Sequence, residues 1–220
     1  MSPKLPCPRP ARVVLEGRYA RLEPLALAHA EGLMAASADA SSFDYLFDVP
    51  PKDLEDLEAW IRQKAASEDP LFHSVIDRAT GLAGGRQTLM RITPEHGVIE
   101  IGNILWGAPI ARTRVATEAL YLAAKYVFED LGYRRFEWKC NDLNEPSKRA
   151  ARRFGFSFEG VFRQHMWVKG ANRDTAWFAM LDREWPRIRA AYERWLDPAN
   201  FDAAGRQRAA LDAAAAVGEN

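Results

Sequence analysis

The sequence predicts a mixed α/β or α+β fold in which helices flank a single sheet. Two helical stretches come first, then several antiparallel-looking strands divided by turn signals, then the alternation strand–helix–strand–helix–strand. Apolar residues make up 48% of the 220, so a packed core is expected rather than a disordered chain. That length suits one domain with or without tails.

The elements follow in order. Residues 1–11 hold four prolines and read as a flexible, extended tail before a domain spanning 12–198. Val13–Leu25 mixes apolar and charged residues around Gly17, as a hairpin or strand pair would. Leu25–Ala38 is alanine-rich and helical. Ser41–Pro51 is an aromatic loop ended by proline. Asp53–Ala66 is helical: Leu54, Leu57, Ile61 and Ala65 share a face, and early acids favour its N-terminus. Phe72–Ile76, Leu82–Ile92 and Gly97–Trp106 are strand-like. Arg114–Leu131 is a strong helix with Val115, Ala119, Leu122 and Tyr126 on one face, stopped by Gly132. Arg135–Lys139 is a short strand and Asn144–Phe154 a helix closed by Gly155. Phe156–Phe162 and Thr175–Leu181 form a closing hairpin, and Glu184–Leu196 is the last helix. Residues 199–220 read as an alanine-rich, frayed tail.

Composition excludes several function classes. Formal net charge is zero, which argues against nucleic acid or an anionic membrane as the main partner while leaving room for a local basic pocket. The two cysteines, Cys7 and Cys140, make no disulfide framework, and with four scattered histidines they make no zinc pattern, so no metal is expected. The N-terminus lacks an apolar signal core and no run is long enough to span a membrane. A cytoplasmic protein is the default expectation.

The chemistry is concentrated in Glu100–Phe156. A strand ends near Trp106, a loop with Gly107 and Pro109 follows, and a helix begins near Arg114. The unpaired N–H groups and dipole of a helix start favour an anion, and Arg112 and Arg114 add positive charge there. A pyrophosphate would suit this cradle; two solvated arginines are the plain alternative. Asn144 and Pro146 suit the first turn of the following helix, so Asn144 reads as a cap. Glu100 lies on a half-buried strand, as a general base or as a carboxylate paired with arginine. Cys140 reads as a buried structural thiol. The basic run Lys148, Arg149, Arg152, Arg153 reads as a helix face, and Arg173 and Asp174 as a pair within the last hairpin.

The pieces HGVIEIGNILW, ATEAL, LGYRRFEWKC, NEPSKRAARRFGF and FEGVFRQHMWVKGANRDTAW, in order from His96 to Trp177, resemble the GNAT superfamily of N-acetyltransferases. They are most similar to its branch of ribosomal-protein N-terminal acetyltransferases. The resemblance implies a GNAT-like acyl-CoA fold: a mostly antiparallel twisted sheet splayed between the family's fourth and fifth strands, here those around Glu100 and Glu137. It implies acetyl-CoA as cosubstrate, lying against Leu105 and Trp106, against Arg112, Thr113, Arg114, Val115, Ala116 and Thr117, and against Asn144 and Ser147.

Two departures stand in the phosphate loop, ARTRVA. Ala111 replaces the usual Gln or Arg, and Arg114 a usual glycine. Either Arg114 takes ordinary helical geometry and its side chain helps the phosphates, or CoA binding is weakened. A tyrosine common one turn beyond Ser147 is Ala151 here, which leaves Ser147, or a water it holds, as the acid or as the group orienting the leaving thiol. Glu100 is the candidate base, acting through water. The activity implied is acetyl transfer to a primary amine, either a small molecule or a protein N-terminus, by a monomer or homodimer. A non-catalytic acyl-CoA-binding module is the alternative. The acceptor pocket is expected from the N-terminal helices, the loop Ser41–Pro51 with Asp44 and Asp48, and the last hairpin.

Overall fold

Turn residues and alternation divide the chain much as expected. The computed structural model describes residues 4–215, and eight strands among them form one sheet in the order β1-β2-β3-β4-β5-β6-β8-β7. The strands are β1 (Leu15–Glu16), β2 (Ala20–Pro24), β3 (Leu71–Asp77), β4 (Ala83–Thr93), β5 (Val98–Trp106), β6 (Arg135–Asn141), β7 (Ser157–Val168) and β8 (Ala171–Leu181). The helices are α1 (Ala30–Ala36), α2 (Leu54–Ala65), α3 (Arg114–Lys125), α4 (Glu145–Arg153) and α5 (Trp185–Leu196).

Every strand pair is antiparallel except β5 with β6. That pair is parallel because the link between them carries α3, and a parallel return needs such a crossover. Successive side chains point to opposite faces, and β3 is buried on both, so the sheet lies between two apolar layers. Val75 joins the main core with α3 and α5, whereas Phe72 and Ile76 on the same strand face α1 and α2. Gly107, just after β5, is tolerated only without a side chain: a Cβ there would lie 2.5 Å from Ala36 Cα.

Several expected boundaries move. The helix expected over Leu25–Ala38 begins as a 3₁₀ turn at Leu27–His29 and is α-helical only over Ala30–Ala36. The helix expected over Arg114–Leu131 is α-helical to Lys125 and then widens into a π turn over Tyr126–Asp130, which lets Tyr126, Val127 and Phe128 all face the core. The closing hairpin is longer, because β7 and β8 run on to the turn at Lys169–Gly170.

Both expected tails need correction where they are described. Cys7 is 4% exposed, its N–H donates to the Pro94 carbonyl at 3.0 Å, and its thiol meets the Gly132 carbonyl. At the other end Phe201, Leu211 and Ala213 are buried in the main core, and Gln207 accepts the Trp195 indole N–H at 2.9 Å. Polar and alanine-rich composition suggested fraying, but a few apolar side chains suffice to anchor these segments. Residues 1–3 and 216–220 of the expected tails lie outside the described residues. No helix among the described residues is long and apolar enough to cross a membrane.

Candidate active site

The site begins where β5 and β6 stop pairing. Their register runs from Val98 with Arg135 to Ile101 with Trp138 and ends there, although β5 continues to Trp106 and β6 to Asn141. At the same level β5 is bulged. Arg86 pairs with Leu105 but Thr88 with Gly102, so β5 carries one residue more than β4, and Asn103 takes a left-handed φ of 48°. The backbone from Gly102 to Trp106 thus has no strand on its β6 side and faces a gap.

A cleft of about 1460 Å³ runs from this gap to the start of α3. Its walls include Ile104, Leu105 and Trp106 of β5, all of Ala111–Thr117, and Asn144, Ser147 and Arg149 of the α4 region. The sequence therefore identified one wall of a real concavity, and the fold brings all its expected cofactor-binding positions together.

The phosphate-loop residues show the backbone geometry at Arg114. Arg114 opens α3 in helical geometry, with its guanidinium 4.4 Å from the Tyr19 ring and 5.3 Å from Phe201. The unusual dihedral has moved to Arg112, at φ 62°. Thr113 caps the helix, its Oγ1 accepting the Val115 N–H at 3.2 Å. The N–H groups of Arg112, Arg114 and Ala116 have no hydrogen-bond partner among the described residues. Unpaired N–H groups, a helix dipole and nearby cations together suit an anion. Arg149 and Arg153 also line the cleft, and Arg153 donates to Thr117 Oγ1 at 3.3 Å. Lys148 is instead held by Asp142 and Glu145, and Arg152 lies against Phe158 and Phe178.

A second, smaller cavity of about 120 Å³ meets the cleft. The two share Ser42, Ile104, Trp138, Asn144 and Ser147 as lining, so Ser147 stands where they join. Asn144 Oδ1 accepts the Ser147 N–H at 3.1 Å, as a helix cap. Ser147 Oγ accepts the Trp138 indole N–H at 3.0 Å, which leaves its own proton free to donate. Cys140 lines the smaller cavity; burial pushes its thiol pKa up, so it stays protonated and poorly nucleophilic.

Glu100 also lines the smaller cavity but is the hub of an ion network. Arg91 reaches both its oxygens at 2.8 Å, and Lys139 Nζ lies 2.9 Å away. Lys139 in turn meets Glu137 at 2.6 Å and sits 3.8 Å over the Trp177 ring. The geometry is that of the paired carboxylate considered from sequence.

Three expectations about this cavity and its surroundings change. The loop Ser41–Pro51 does reach the cavity, through Ser42, Tyr45, Leu46 and Phe47, but α1 and α2 do not line it. Asp48 is no free acid there: Arg86 takes it at 2.8 Å and the Trp60 indole N–H donates to it at 3.3 Å. Nor do Arg173 and Asp174 pair. Asp174 accepts from the Gln164 N–H and Asn172 Nδ2, because adjacent strand residues point to opposite faces. Sequence reasoning missed Trp138 as the partner of Ser147. It also missed the C-terminal wall of the cleft, where Phe201, Ala204 and Gln207 lie.

A parallel strand pair parts here over a cationic helix start, with a second cavity opening into the gap, an arrangement suited to acyl transfer. Residues 20–157 match the Acetyltransferase (GNAT) domain family, and the chain belongs to that family. The crystal structure of a GCN5-related N-acetyltransferase from Brucella melitensis is 55% identical, with 94% of this chain and 96% of that one covered at a TM-score of 0.92. The uncharacterized N-acetyltransferase p20 of Bacillus licheniformis is 31% identical over 116 residues, which are 51% of this chain and 62% of that relative's length. A ribosomal alpha-N-protein acetyltransferase shares only 16% identity at a TM-score of 0.67, with 77% of this chain and 94% of that one covered. That likeness is one of fold, so the branch expected from sequence is not carried further.

Proposed function

We propose that this protein transfers an acetyl group from acetyl-CoA to a primary amine by direct attack. The observation that carries the proposal is the junction at Ser147, where a long cationic cleft meets a small second cavity within the gap between β5 and β6. In this reading acetyl-CoA supplies the activated acyl group, with its pantetheine along β5 and its phosphates at the start of α3.

The protein's share is positioning and polarisation. Backbone N–H groups beside the bulge, near Leu105 and Trp106, hydrogen-bond the thioester carbonyl. The amine enters through the smaller cavity, attacks the carbonyl carbon and sheds its proton to water there. Ser147, fixed by Trp138, turns its hydroxyl proton toward the leaving sulfur. Glu100 is the alternative proton acceptor through water, while its ion pairs make it first an anchor for Arg91 and Lys139. Arg112, Thr113, Arg114, Val115, Ala116 and Thr117 serve the phosphates, and Asn144 and Ser147 the arm.

Calorimetric titration with acetyl-CoA, followed by thiol release with a panel of amines, tests the proposal. Saturable binding and amine-dependent thiol release are expected. A folded protein that binds no acetyl-CoA would sink the enzyme reading. Binding without release from any amine would leave the acyl-CoA-binding module instead.

A further inference from the structure

Arg173 is the charged group in the smaller cavity that the mechanism does not use. It stands on β8, is 7% exposed and lines the cavity beside Glu100 and Cys140. Its Nε donates to Thr175 Oγ1 at 3.3 Å and its guanidinium lies 5.1 Å from the Phe47 ring. No carboxylate lies within ion-pair distance of it among the described residues, and its terminal nitrogens make no hydrogen bond there. The neighbouring charges are already matched: Arg91 and Lys139 hold Glu100, Lys139 and Arg135 hold Glu137, and Arg135 holds Glu159. Burial with no matching anion is costly, and it pushes the Arg173 pKa down. A fixed guanidinium fork with open N–H groups is shaped for a carboxylate.

We infer that the acceptor carries a carboxylate a few bonds from its amine, as a free amino acid does, and that Arg173 binds that carboxylate. The inference rests on the acyl-transfer reading above and names its acceptor class. The placement fits the chemistry. Ser147, Cys140 and Arg173 all line this one small cavity. A compact acceptor held at Arg173 therefore has its amine close to Ser147 and the cleft. The volume of about 120 Å³ admits a few heavy atoms, with a side chain directed toward the opening. Thr175 and Phe47 orient the guanidinium from two sides, so binding requires little reorganisation.

The test compares free amino acids with their methyl esters and amides as acceptors, with phosphoethanolamine as a phosphate-bearing arm. Wild type, Arg173→Gln and Arg173→Lys are assayed, and acetyl-CoA affinity is measured calorimetrically for each. Wild type is expected to favour acids over esters by roughly 10- to 100-fold in kcat/KM. Arg173→Gln should bring that ratio near one, mainly by raising KM for the acid, and Arg173→Lys should restore part of it. Acetyl-CoA affinity should be the same in all three. Equal use of acid and ester by wild type, no use of any acid, or an acid preference that survives in Arg173→Gln would overturn the inference. Preference for phosphoethanolamine would overturn the carboxylate assignment. If neutral amines are acetylated while acids are not, only the inference fails; if wild type binds no acetyl-CoA, the acyl-transfer reading fails with it.

Discussion

Trp138 donates its indole N–H to Ser147 Oγ at 3.0 Å, which ties the sixth strand to the first turn of α4 at the junction of the two cavities. The serine would otherwise rotate among staggered positions, and the indole leaves its hydroxyl with one proton to donate. Ser147→Ala should lower kcat about tenfold or more with little change in acetyl-CoA affinity. Trp138→Phe, which keeps the ring, should lower kcat in the same direction by less. Steady-state kinetics beside calorimetry checks both, and unchanged turnover in Ser147→Ala would remove the hydroxyl from the mechanism.

Arg112 combines a left-handed backbone with a cationic side chain at the cleft. Glycine tolerates that φ without strain, whereas in the proposed function the side chain serves the phosphates. Arg112→Gly should therefore weaken acetyl-CoA about tenfold while leaving thermal stability equal or slightly higher. Arg112→Ala should weaken binding alike without the gain in stability. A Gly variant that binds normally would show that the side chain does not reach the phosphates.

Thr113 caps α3 with its side chain, and α3 is buried along nearly its whole length. Thr113→Ala should cost about 1 kcal/mol of stability, read from chemical denaturation. Acetyl-CoA affinity should also fall, because the cap fixes the N–H groups beside it.

Glu100 is 2% exposed and neutralises Lys139, whose side chain is 5% exposed. Removing Glu100 leaves Lys139 with Glu137 alone and takes from Arg91 its carboxylate partner. Glu100→Ala should destabilise the fold by about 3 kcal/mol in urea unfolding. If the residue is chiefly an anchor, Glu100→Gln should retain most of kcat per folded molecule; a loss beyond a hundredfold in well-folded protein would argue for a direct proton role.

His73 is buried on β3 with Nε2 unpartnered, and burial lowers its pKa from 6.5 to about 4. The folded state thus resists a proton that the unfolded state accepts at 6.5. Stability contributed by the neutral ring is fully present above pH 6.5 and is lost as pH falls toward 4, by about 3 kcal/mol at most. Denaturation across that window should show the slope, and His73→Gln should flatten it.

Much of this protein was legible in its sequence because the relevant interactions are local. The turn signals that bound β3 to β5, the Asn144 cap and the Gly132 stop depend on neighbours within a few residues. The start of α3 near Arg114 follows from the same short-range rules. Side-chain partners far apart in sequence were not legible. Nothing near Asp48 announces Arg86, and nothing near Ser147 announces Trp138. The C-terminal segment reads as a frayed tail until Phe201 is seen beside Tyr19 and Arg114.

The sequence by itself determined the class of fold and the segment that carries the chemistry, because periodicity, capping and turn residues act over one or two turns of chain. The tertiary structure decided which charges remain unspent. Asp48 is consumed by a buried arginine, Glu100 is shared between two cations, and Arg173 is left facing a cavity without a carboxylate. Charge matching is a property of three-dimensional distance and burial, since a pair's worth depends on separation and on the exclusion of water.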